Sequence, residues 1–106
     1  MANTNGRHPR EYSLGVTGKA RAELLAITEA AKTKGTIQRV DSAFDAILKR
    51  LKVDPSTFGE PQYRIPKMSM SILCTLVSPL YIEYGIHDVQ PIVVIRRVVA
   101  LSDPIS

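Results

Sequence analysis

The chain has no tryptophan, one cysteine and two phenylalanines among its 106 residues. A single cysteine cannot close an internal disulfide, which excludes a disulfide-scaffold protein and suits a reducing cytoplasm. Cys74 lies in the apolar run SILCTLV with no neighbouring charge to favour its thiolate, and reads as a small core residue. No apolar run approaches the roughly 20 residues that span a bilayer, so no membrane partner is expected. The longest, around Ile72–Val77 and Pro91–Ile95, have the length of strands. The first ten residues, MANTNGRHPR, lack the apolar stretch of a secretory signal. They read as a flexible N-terminal tail at 1–10 ahead of a single domain at 11–106.

Chemical motifs are equally sparse. There is no Gly-rich phosphate loop, dinucleotide fingerprint, nucleophile elbow or paired-cysteine zinc site. The two histidines, His8 and His87, have no ligand-like spacing, so neither a metal nor another cofactor is expected. His87-Asp88 has the composition of a dyad but falls in a polar stretch that reads as a solvated turn.

What remains is an ordinary soluble composition, 44% hydrophobic and 23% charged, with a net charge of +4. That charge suits an anionic partner, and nucleic acid or an acidic protein fits equally well. Tyr12, Leu14 and Val16 alternate as a short strand. Thr17 offers a cap to a helix over 18–34, in which Ala20, Leu24, Ile27 and Ala31 share a face with Leu25 and Thr28 at its edge. Gly35 ends that helix, and Thr36 offers a second cap. Ile37, Val40, Phe44, Ile47, Leu48 and Leu51 then repeat at helical spacing up to Pro55. The helix–Gly–helix resembles a DNA-reading helix-turn-helix only superficially. Asp41 and Asp45 would repel phosphate, and no third core helix follows.

Beyond the turn-rich 54–61 the apolar period changes to two. Tyr63–Ile65 is a short strand candidate, followed by strands around Met70–Val77, Leu80–Ile86 and Pro91–Leu101. The last is apolar on both faces apart from Arg96 and Arg97, and suits a sheet interior. The expected fold is α+β, a helical hairpin packed on one face of a mostly antiparallel sheet. Its order is β-α-α-β-β-β, with Tyr63–Ile65 as a further strand.

Lys49, Arg50 and Lys52 cluster at the end of the second helix, where they favour the helix dipole or form one side of an anion-binding surface. Arg64, Lys67, Arg96 and Arg97 supply the rest of that surface if the sheet gathers them. Adjacent strand residues point to opposite faces, so one of Arg96 and Arg97 is expected toward the helix-covered side or its margin, with the other facing away. Glu83 is an available partner for it.

The order of elements, with EYSLGVT before the hairpin, FGEPQYRIP after it and IEYGIHDVQPIVVIRRV near the end, resembles the RelE/ParE toxin superfamily over about residues 11–101. The resemblance implies a cytoplasmic toxin of a type II toxin–antitoxin, or plasmid-stabilisation, system with a protein antitoxin as partner. RelE-type members cut messenger RNA on the ribosome using the RNA's own 2′-hydroxyl, so no serine or cysteine nucleophile is needed. Arg64 resembles the family's mid-sheet arginine, and Arg96 or Arg97 the basic residue of its late strand, which makes all three the catalytic candidates. Nuclease members often end on further basic residues and a Tyr or His, whereas this chain ends VVALSDPIS. Enzymatic activity therefore stays open. A ParE-like toxin directed at DNA gyrase and a non-catalytic RNA- or protein-binding module of the same fold are the alternatives.

Overall fold

The structure, a computed structural model, describes residues 11–101. The expected tail at 1–10 and the last five residues of the expected domain lie outside them. Strand β1 (Ser13–Val16) leads into helices α1 (Gly18–Lys34) and α2 (Ile37–Val53) and a single helical turn, α3 (Pro55–Phe58). Strands β2 (Glu60–Ile65), β3 (Met70–Val77), β4 (Leu80–His87) and β5 (Ile92–Ala100) follow. They form one sheet in the order β1-β5-β4-β3-β2. β1 runs parallel to β5, and every other neighbouring pair is antiparallel. The α+β hairpin-on-sheet architecture read from the residues is thus the observed one. The short candidate at Tyr63–Ile65 is a six-residue edge strand.

The helix ends follow local chemistry. Thr17 Oγ1 accepts from the Ala20 N–H at 3.1 Å and caps α1. Gly35 ends the helix at φ +77, in the left-handed region where a side chain would be strained. Thr36, expected as a second side-chain cap, makes no capping hydrogen bond. Its own N–H instead closes the α1 terminus onto the Ala31 carbonyl at 2.8 Å.

α2 buries Val40, Ala43, Ile47 and Leu51, while α1 buries only Ala20 and Ala31. Those alanines let α1 approach β5 closely. Leu24 and Ile27 pack at the core's margin, but Leu25 is 62% exposed and does not belong to the buried face. From the sheet, Leu73, Leu80, Ile82, Tyr84, Val93, Ile95 and Val98 complete the core. Ile47 and Leu51 are fully buried, each worth roughly 1.5–3 kcal/mol of apolar transfer.

Cys74 is half-buried and lies outside this core, which corrects its reading as a core residue. It alternates with Leu73, and Leu73 is the residue that faces the helices. Met70 and Ile72, also outside the main core, are buried around Gly85, the cross-strand neighbour of Ile72.

Candidate anion-binding site

Two connections meet at one end of the sheet. Pro66–Met68 forms a 3-10 turn between β2 and β3, closed by Ser69 in the left-handed region. The β4–β5 connection begins at Asp88, whose N–H donates to the Ser69 carbonyl at 2.8 Å. His87 Nδ1 accepts from the N–H groups of Val89 and Gln90 at 3.1 and 3.0 Å, which folds the turn back on the histidine. This use of Nδ1 assigns the ring proton of a neutral imidazole to Nε2. His87 thus organises the turn, and neither of its nitrogens bonds Asp88.

Arg64 faces these turns from edge strand β2, in register with Ser71 of β3. Its Nη1 and Nη2 donate to the two carboxylate oxygens of Asp88 at 2.7 Å each, and Nη1 also donates to Ser71 Oγ at 3.1 Å. Such a two-pronged contact is the strongest geometry available to an arginine–carboxylate pair. The Arg64 hydrogen bond, with the guanidinium charge behind it, holds the Asp88 carboxyl below the usual carboxylate range. The same contact raises the Arg64 guanidinium. Lys67 sits in the adjoining turn and is exposed.

Arg96 and Arg97 occupy a different place. Tyr84 pairs with Ile95 but Glu83 pairs with Arg97, so β5 carries one extra residue there. The bulge explains how Ile95 and Val98, three residues apart, are both buried in the helix-facing core. It puts both arginines between those two buried positions, and they part there, Arg96 toward Glu83 of β4 and Arg97 toward α1. Arg96 Nε lies 3.8 Å from the Glu83 carboxylate, the partner expected from the sequence. Arg96 Nη1 is shielded from solvent with no hydrogen-bond partner among the described residues. Arg97 Nε lies 3.6 Å from Glu23 of α1. Glu23 also accepts from the Val98 N–H at 2.8 Å, on the stretch of β5 that β1 is too short to cover. Glu23 is a tie between hairpin and sheet that helical spacing alone did not reveal.

The sheet therefore does not bring the three arginines together. Arg64 is three strands from Arg97 and about three pleats along, on the order of 15–20 Å by strand spacing and rise. The α2 cluster is separate again. Lys49 pairs with Asp45 at 3.2 Å and Arg50 with Asp54 at 3.6 Å. The Arg50 guanidinium also lies 4.7 Å from the centre of the Phe58 ring. The Lys52 carbonyl receives the Tyr12 N–H at 2.8 Å, which fixes the end of α2 to the start of β1. Dipole compensation and local ion pairs account for this cluster. Among the described residues no group of three or more His, Cys, Asp or Glu side chains could hold a metal. No described helix is long and apolar enough to cross a membrane.

No protein-family model and no curated protein matches the chain. Solved structures do. A chain of the RelBE2 toxin–antitoxin complex from Mycobacterium tuberculosis superposes with a TM-score of 0.67 at 20% identity, covering 91% of this chain and 98% of that one. A chain of the chromosomal ParDE system from P. aeruginosa gives a TM-score of 0.58 at 19% identity, covering 87% and 98%. The fold is that of the RelE/ParE toxins, as EYSLGVT, FGEPQYRIP and the late strand suggested.

Proposed function

We propose that this chain is the toxin component of a type II toxin–antitoxin pair, restrained by a protein antitoxin and directed at RNA through the Arg64 end of its sheet. The observation that carries the reading is correspondence along the whole domain. Nearly all of a RelBE2 chain, 98% of its length, is matched by 91% of this one. The +4 net charge adds the long-range attraction that an RNA target requires. Arg64 with Lys67 nearby supplies donors suited to a phosphodiester. If RNA is cut, its 2′-hydroxyl is the nucleophile, and the protein's part is to stabilise phosphate charge and move a proton.

A second reading, RNA or protein binding without cleavage, is favoured by one specific observation. Arg64, Arg96 and Arg97 each hold a carboxylate and do not converge on one reacting centre. The test is inducible expression in a bacterial host without an antitoxin. Arrested growth with lost translation is expected, and unaffected growth with unchanged translation overturns the toxin reading. RNA integrity with purified ribosomes then separates cleavage from binding, and a supercoiling assay identifies a gyrase-directed toxin instead.

A further inference from the structure

We infer that Asp88 is a built-in competitor for RNA phosphate. Its carboxylate fills the arginine fork that the backbone of an RNA would use, so RNA engages this end of the sheet only as the Arg64–Asp88 pair opens. The inference rests on the RNA-directed reading above and adds a restraint carried within the chain itself.

The geometry of this pair differs from that of the helical pairs and from that of Arg96–Glu83 and Arg97–Glu23, which meet at 3.8 and 3.6 Å. Lys32–Glu29, Lys49–Asp45 and Arg50–Asp54 join residues one helical turn apart through single contacts of 3.2–3.6 Å. Arg64 and Asp88 are 24 residues apart and meet through two bonds of 2.7 Å. A carboxylate presenting two oxygens to the end of a guanidinium occupies the sites that two phosphate oxygens would take.

Asp88 is also held in place. Its N–H is bound to the Ser69 carbonyl, and the two residues after it are bound through their N–H groups to His87 Nδ1. The turn therefore fixes the Asp88 backbone beside Arg64, and the carboxylate leaves the fork only by rotation of its own side chain. Like any aspartate it is ionised at neutral pH, so it also repels an incoming phosphate, and the Arg64 contact only lowers its titration further. Both side chains are partly exposed, at 53% and 31%, which leaves the pair accessible to a competing anion and modest as a barrier.

The experiment measures binding of a fluorescein-labelled single-stranded RNA oligonucleotide to the full chain by anisotropy, at about 0.1 M salt where screening acts over about 10 Å. Asp88→Asn is expected to tighten binding about five- to tenfold, or to bring binding into range where the wild type shows none. Arg64→Ala is expected to weaken it, and adding Asp88→Asn to Arg64→Ala should restore little. Asp45→Asn, which removes an equal charge from α2, should change affinity less than about twofold. Asp88→Ser replaces Asp88→Asn if circular dichroism shows that variant to be unfolded.

Affinity that stays within about twofold of wild type in the Asp88 variants, while Arg64→Ala weakens binding, overturns the restraint and leaves the RNA reading standing. Equal tightening with and without Arg64 reduces the effect to net charge and also overturns it. Binding indifferent to both Arg64 and Asp88 removes the RNA reading of this surface and the restraint with it.

Discussion

Replacing Tyr84 by phenylalanine isolates one buried hydroxyl. The side chain is fully buried, and its Oη donates to the Pro55 carbonyl at 2.6 Å. Its ring stacks on Phe58 with centroids 6.3 Å apart. That contact joins central strand β4 to the helical turn from which edge strand β2 departs. Phenylalanine keeps the ring, so no cavity of consequence opens. What is lost is the bond to the Pro55 carbonyl, left without this donor, together with the approach of the Gly59 backbone N–H to the phenolic oxygen. A net bond of about 1 kcal/mol and an orphaned buried acceptor of about 1–3 kcal/mol are partly offset by the hydroxyl no longer being desolvated. The expected loss is about 1–2 kcal/mol, or roughly 5–15 °C in Tm for a domain of this size.

A pH profile supplies an independent signature. Burial pushes the Tyr84 phenol up to about 12 from its ordinary 10.0. The folded chain therefore retains a proton that the unfolded chain loses, and this contribution is complete below pH 10. It declines as pH rises from there toward 12, so the gap between wild type and Tyr84→Phe narrows over that window. Thermal and urea melts at pH 7 and at several alkaline values measure both effects. A Tm within about 2 °C of wild type at pH 7, or a gap that does not narrow at high pH, would refute the reasoning.

Two further substitutions probe the frame of the domain. Gly85→Ala places a Cβ against Sδ and Cγ of Met70 and 3.1 Å from Ile72 Cδ1, so urea unfolding should show a loss of about 1–3 kcal/mol, with Met70→Ala in the same chain recovering part of it. Thr17→Ala removes the α1 cap and a 3.4 Å donation to the Arg96 carbonyl. A loss of about 1 kcal/mol with faster hydrogen exchange at Ala20 is expected, and unchanged exchange would show the cap to be idle.

Much of the frame was legible along the chain because it rests on short-range rules. Helical spacing from Ile37 to Leu51, the cap at Thr17, the stop at Gly35 and the period of two after residue 62 each depend on residues a few positions apart. They were enough for the α+β order, and the quoted segments were enough for the resemblance that the superposed structures bear out. Some failures were matters of degree of burial. Leu25 and Leu24 are neighbours of the same chemistry, and only the line along which α1 meets β5 leaves the first in solvent.

The local readings that failed in kind depended on partners far away in sequence. A one-residue bulge opposite Glu83 broke the strict alternation of β5, so Ile95 and Val98, three residues apart, both face the core. Glu23 met Val98 and Arg97 because β1 ends early, and Asp88 met Arg64 because two turns share one end of the sheet. Patterns along the chain thus determined which stretches are helix or strand and which faces are apolar, since those follow from neighbours within a turn or a pleat. Which charges find each other was decided only when the sheet closed. Ionic contacts depend on distance in space, and that distance does not exist until β2, β4, β5 and α1 are in register.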